Sequence, residues 1–100
     1  MDKIRYQVED QDGSRVVREI HKIVVHRFRM GDVEDPDLYA AQPIHEWEQS
    51  DAGKFVMENA VDTPEWHRQL DPMSYGHHYA IVAELEKKKL SEFYLRFKKT

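Results

Sequence analysis

One hundred residues set the scale of a single domain. The absence of cysteine excludes disulfide bridges and thiolate metal ligands. With 34% charged and 40% hydrophobic residues, 11% of the chain being aromatic, the composition is that of a folded domain rather than a disordered one. The formal net charge of −4 is unevenly placed. Residues 1–30 carry seven Lys/Arg against five Asp/Glu, residues 31–62 one against nine, and residues 63–100 seven against five. The acidic total opposes nucleic-acid binding, and the local distribution leaves room for it.

In chain order, Ile4 to Glu9 alternates apolar and polar residues at strand period. Asp12-Gly13 is a hairpin turn signal. The run Arg15 to Met30 is rich in Val, Ile, Phe and Arg. It places Val16, Arg18 and Ile20 on one side and then becomes apolar on both sides at Ile23-Val24-Val25. That change of phase predicts a long strand with a bulge or bend, or two strands.

Asp35-Pro36 reads as an N-cap and first helical position, opening a short helix over Asp37 to Ala41. Pro43 resets the chain before a helix from Ile44 to Ala60, in which Ile44, Trp47, Ala52, Phe55 and Val56 share one side. Ser50-Asp51 offers a fresh N-cap if that helix breaks. Glu65 to Leu70 reads equally as a short strand or a helical turn. His78 to Leu85 alternates again, with Tyr79, Ile81, Ala83 and Leu85 facing one way. After a charged connection at Glu86 to Lys89, the segment Ser91 to Phe97 reads as a last strand, with Phe93, Leu95 and Phe97 inward. About five strands and one main helix predict a mainly β, α+β domain. The layout is a small, strongly bent sheet or partly open barrel, with a ferredoxin-like sheet as the alternative.

No constellation points to catalysis. There is no Gly-x-Ser-x-Gly elbow and no Gly-rich phosphate loop, and the expectation is a non-enzyme that needs no cofactor. His77 and His78 are adjacent and point to opposite faces of a strand. His21 and His26, five apart, do the same on a regular strand, so no metal site is expected. The acidic run Asp32 to Asp37 lacks the spacing of a calcium loop and reads as a solvated helix start. The useful pattern is Arg interleaved with aromatics. Arg27 and Arg29 share one strand face around Phe28, and Arg68, Tyr75, His77 and His78 lie in or near loops. Single-stranded nucleic acids are gripped by such mixtures, through stacking and phosphate contact. Solvated strand faces carry the same residues simply to stay soluble. No apolar run is long enough to span a bilayer, and the start of the chain lacks a secretory signal, so a cytoplasmic protein is expected.

The stretch HRFRMGDVEDPDLYAAQPIHEWEQSDAGKFVMENA, with YGHHYAIVAELEKKKLSEFYLRFK, resembles a family of short uncharacterised marine-metagenome proteins of cyanophage origin, over about residues 20–98. The resemblance implies an Sm-like, five-stranded barrel with its helix inserted between strands. It also implies a ring-shaped homo-oligomer, binding to RNA or single-stranded DNA, and residence in the cytoplasm of an infected host cell. Arg27, Arg29, Arg68, Tyr75, His77 and His78 are the expected contacts. The chain has no Arg-Gly or Lys-Gly dipeptide of the kind that grips bases in Sm proteins, so no Sm contact residue transfers by motif. The alternative is a phage assembly or host-interaction module, using Asp32 to Asp37 and the helix bearing Trp47.

Overall fold

The computed structural model describes residues 3–31, 34–73 and 76–97. Strand β1 (Lys3–Gln11) and strand β2 (Ser14–Met30) form a hairpin. Its two-residue turn, Asp12-Gly13, has φ of 50° and 78°. Positive φ at both positions gives the turn whose twist matches that of the flanking strands, which is why Asp-Gly is favoured there.

The chain then forms α1 (Pro36–Gln49), α2 (Asp51–Asn59), β3 (Glu65–Leu70), β4 (His77–Glu86) and α3 (Lys87–Phe97). The strands make one antiparallel, strongly curled sheet in the order β1-β2-β4-β3. It is a mainly β, α+β domain with four strands and three helices among the described residues.

Strand β2 spans the whole sheet. Its first half pairs with β1 and its second half with β4, and the two pairings overlap only at Ile20, His21 and Lys22. The β1–β2 hairpin therefore projects beyond the packed body. The radius of gyration is 16.1 Å, against about 13 Å for a compact chain of this length.

The change of phase in β2 is a bulge. Val24 pairs with Val82 and His26 with Ile81, so Val25 has no partner across the ladder. The extra residue lets Val25 and His26 both address the face carrying Ile81, and Val25 is buried in the core. This also corrects the expectation for His21 and His26. They pair with Leu85 and Ile81, which share a face, because the bulge restores the parity that a spacing of five would break.

The core lies between that sheet face and the helices. Ile23, Val25, Ile81, Ala83 and Leu85 meet Trp47, Phe55, Val56, Leu90 and Phe93, with Ile44 and Ala52 packed against the edge. Trp47 is 7% exposed and stacks on the His26 ring at 5.9 Å. It is thus a core residue. Ile20 is fully buried on the opposite face, between Arg5 and Glu86 of the neighbouring strands. Those long side chains are held in ion pairs, Arg5 with Glu84 at 2.6 Å and Arg18 with Glu86.

The helical region holds two helices, as expected, but they divide at Ser50 and not at Pro43. Helix α1 runs through Pro43, and the chain breaks instead at Ser50, which is extended. The Ser50 hydroxyl donates to the Trp47 carbonyl at 2.5 Å and accepts from the Gly53 N–H at 3.1 Å, ending one helix and capping the next. Asp35 precedes α1 in a left-handed conformation and makes no side-chain cap.

The C-terminal segment corrects the expectation of a fifth strand. Lys87–Phe97 is helix, so Ser91–Phe97 offers no sheet edge through which a ring could close. Alternation at Phe93, Leu95 and Phe97 matched strand period. Leu90, Phe93 and Phe97 also match i, i+3, i+7, and those are the residues that pack, whereas Leu95 is 72% exposed. Arg96 lies 5.3 Å from the Phe55 ring centroid, so it covers the edge of the core.

Candidate nucleic-acid interface

Strand β4 sits between β2 and β3, and the register aligns three residues of each. Arg27 pairs with Ala80, which pairs with His67; Phe28 pairs with Tyr79, which pairs with Arg68; Arg29 pairs with His78, which pairs with Gln69. These nine residues line a single groove of about 560 Å³.

Side-chain alternation divides the grid. The middle row shares the face of the buried Tyr79. The two outer rows share the opposite face, away from the helices. Arg27, Arg29, His67, His78 and Gln69 thus stand on one open surface around the small side chain of Ala80.

Arg27 is exposed and makes no ion pair among the described residues. The Arg29 side chain is 70% exposed, and its guanidinium lies 3.6 Å from Asp71 Oδ2. His78 Nε2 is 3.3 Å from the same oxygen. Asp71 closes the turn after β3, where its N–H donates to the Gly76 carbonyl and its Oδ1 accepts from the Met73 N–H. His67 Nε2 is 3.7 Å from Glu65, with both side chains more than half exposed. Arg27 thus has no ion pair to give up among the described residues, and Arg29 is held by one long pair that a phosphate can displace.

The other expected contacts are placed differently. Arg68 borders the groove, but its guanidinium donates to Asp37 Oδ1 at 2.9 Å. The same oxygen accepts from the Tyr79 hydroxyl at 2.7 Å. Burial, and secondarily the hydrogen bond to Asp37, raise the Tyr79 phenol above its ordinary pKa, with Arg68 opposing. The trio ties the start of α1 to the sheet. His77 pairs with Met30 and Leu70, on the face opposite His78. Tyr75 lies outside the described residues.

So Arg27, Arg29 and His78 are brought together, and Arg68 and His77 are not part of that surface. His67 and Gln69 join it without having been singled out in the sequence. Their signal was present in Glu65 to Leu70, once that segment is read as a strand beside β4. No group of three or more His, Asp or Glu among the described residues is placed to hold a metal ion. Among the described residues no helix is long and apolar enough to cross a membrane. Comparison with known proteins finds no matching family model, no matching curated protein and no matching solved structure.

Proposed function

We propose that this protein is a non-catalytic module that binds single-stranded nucleic acid, RNA foremost, across the outer face of β2, β4 and β3. The observation that carries this reading is the two-row arrangement in which Arg27 and Arg29 face His67 and Gln69 across β4. Two guanidiniums and two imidazoles meet a phosphate backbone. The flat rings and the Gln69 amide are suited to stacking on bases and bonding their edges. A sheet face lined by cationic and planar groups serves this purpose without a deep cavity.

The local charge also separates as binding requires. The acidic helices pack on the other side of the sheet, so the net charge of −4 does not describe the groove. The curled antiparallel sheet is compatible with a partly open Sm-like barrel, and the cyanophage-family resemblance supports both that classification and a role in RNA or DNA processing. In this reading, α3 occupies the place of the strand that would complete the barrel.

The test is a titration of labelled single-stranded RNA and DNA at low and near-physiological salt. Binding should weaken steeply with salt, and an Arg27→Glu, Arg29→Glu double variant should lose it. Because phosphate contacts appear first at low salt, no binding there would sink the proposal.

A further inference from the structure

The projecting hairpin carries an apolar face that is largely exposed among the described residues. Ile4, Tyr6, Val8 and Val17 share one side, and their exposures are 51%, 64%, 59% and 62%. Large apolar residues scattered singly need no explanation, but four adjoining ones on one ribbon mark a contact surface. Strand β1 is also a free sheet edge.

The two edges of the sheet differ in how they are protected. Strand β3 is short, follows Pro64, and carries Glu65, His67 and Arg68 in six residues. Strand β1 has nine residues, contains no proline, and no register shift interrupts its pairing with β2. Long regular edges of this kind are templates for pairing with another chain.

The hairpin geometry says which backbone groups are available. Gln11 and Ser14 flank the two-residue turn and form its closing hydrogen-bonded pair. Alternation along the ladder then directs the N–H and C=O of the odd residues of β1 toward β2, and those of Ile4, Tyr6 and Val8 outward. Any antiparallel partner must bond to these even positions.

We infer that β1 is a self-association edge, on which two copies pair antiparallel about a two-fold axis at Tyr6. This register sets Tyr6 against Tyr6, Ile4 against Val8, and Lys3 against Glu9 of the second copy. Each outward-bonding residue meets another, each apolar residue meets an apolar one, and opposite charges face each other. Lys3 makes no ion pair among the described residues. Shifting the pairing by one step of the ladder places Ile4 against Asp10 and breaks the apolar match. The self-complementarity of β1 selects a second copy over an unrelated partner, because a two-fold contact needs one patch that fits itself. The two sheets join into one of eight strands. The grooves lie at the far end of β2 and stay open, so this inference stands independently of the nucleic-acid reading.

The test is sedimentation of the full chain without nucleic acid, from low micromolar to several hundred micromolar. A reversible monomer–dimer equilibrium is expected. Val8→Lys and Tyr6→Pro should each weaken it by roughly tenfold or more while the circular dichroism of the fold is retained, since the Tyr6 N–H points away from β2. The chain has no cysteine, so position 6 can report the register. Paired Cα atoms at a hydrogen-bonded site lie about 5.5 Å apart, within disulfide range. Tyr6→Cys should cross-link on mild oxidation and Gln7→Cys should not. A chain that stays monomeric throughout overturns the inference and assigns the stripe to a different protein. So does a dimer that neither substitution weakens, or one that cross-links faster through position 7.

Discussion

Arg27 and His67 flank Ala80 from opposite sides, one on β2 and one on β3, so a single methyl group stands between the guanidinium edge and the imidazole edge of the groove. Ala80 is the position at which charge can be inverted with least disturbance. It is partly exposed on the outer face, while Tyr79 and Ile81 beside it hold the core. Ala80→Glu should abolish nucleic-acid binding at low salt and leave the thermal transition nearly unchanged. Fluorescence anisotropy beside a melting curve checks this. Retained affinity would show that the strand does not cross β4.

Arg27 and Arg68 separate binding from architecture. Arg27→Ala removes an exposed guanidinium from the groove and should lower the salt-dependence slope by about 0.7, as for one lost phosphate contact on a single strand. Arg68 is committed to Asp37, with side chains 41% and 51% exposed. Arg68→Ala should cost at most about 1 kcal/mol of stability, and affinity should change less than twofold. Equal losses of affinity from the two variants would mean that Arg68 leaves Asp37 to reach the ligand.

The contrast between these arginines also marks what the sequence discloses. Local pattern sufficed for the Asp12-Gly13 hairpin, the phase change resolved at Val25, and the inward set Tyr79, Ile81, Ala83 and Leu85. It sufficed for Arg27 and Arg29 sharing a face, because spacing of two on a strand needs no further information. Joining them to His67 and Gln69 requires the registers of β2 on β4 and β4 on β3, which are long-range pairings. Segment Ser91–Phe97 reads as a strand and folds as part of a helix for a different reason. Its apolar residues satisfy both periods, and the choice is made by packing of Leu90 and Phe93 on the sheet and α2.

Gly53 lies in the first turn of α2, where alanine would ordinarily improve a helix by about 1 kcal/mol. Here the sign should reverse. A Cβ at this position would overlap the Trp47 carbonyl oxygen, and would lie 2.6 Å from the Trp47 carbonyl carbon and 2.9 Å from the Glu48 Cα. The obstructing atoms are backbone, and they belong to the turn that Ser50 caps on both sides. Gly53→Ala should therefore destabilise by about 3 kcal/mol or more, as measured by urea unfolding. An unchanged or raised midpoint would mean that the junction of α1 and α2 yields easily.

Tyr79 gives the fold a distinct alkaline dependence. Its phenol is raised by burial first and by its hydrogen bond to Asp37 second, so the folded state holds the proton at a pH where the unfolded chain has released it. The unfolded phenol titrates near pH ~10. Below that value both states are protonated and the stabilisation is fully present. As pH rises through the unfolded value toward the folded one, the unfolded state binds fewer protons and stability falls. Tyr79→Phe removes the ionisable group and one hydrogen bond, costing about 1 kcal/mol at neutral pH, and flattens the decline above pH ~10. Denaturant melts of both proteins at neutral and alkaline pH decide the matter. Parallel declines in the two would place the alkaline sensitivity elsewhere than at the contact between Tyr79 and Asp37.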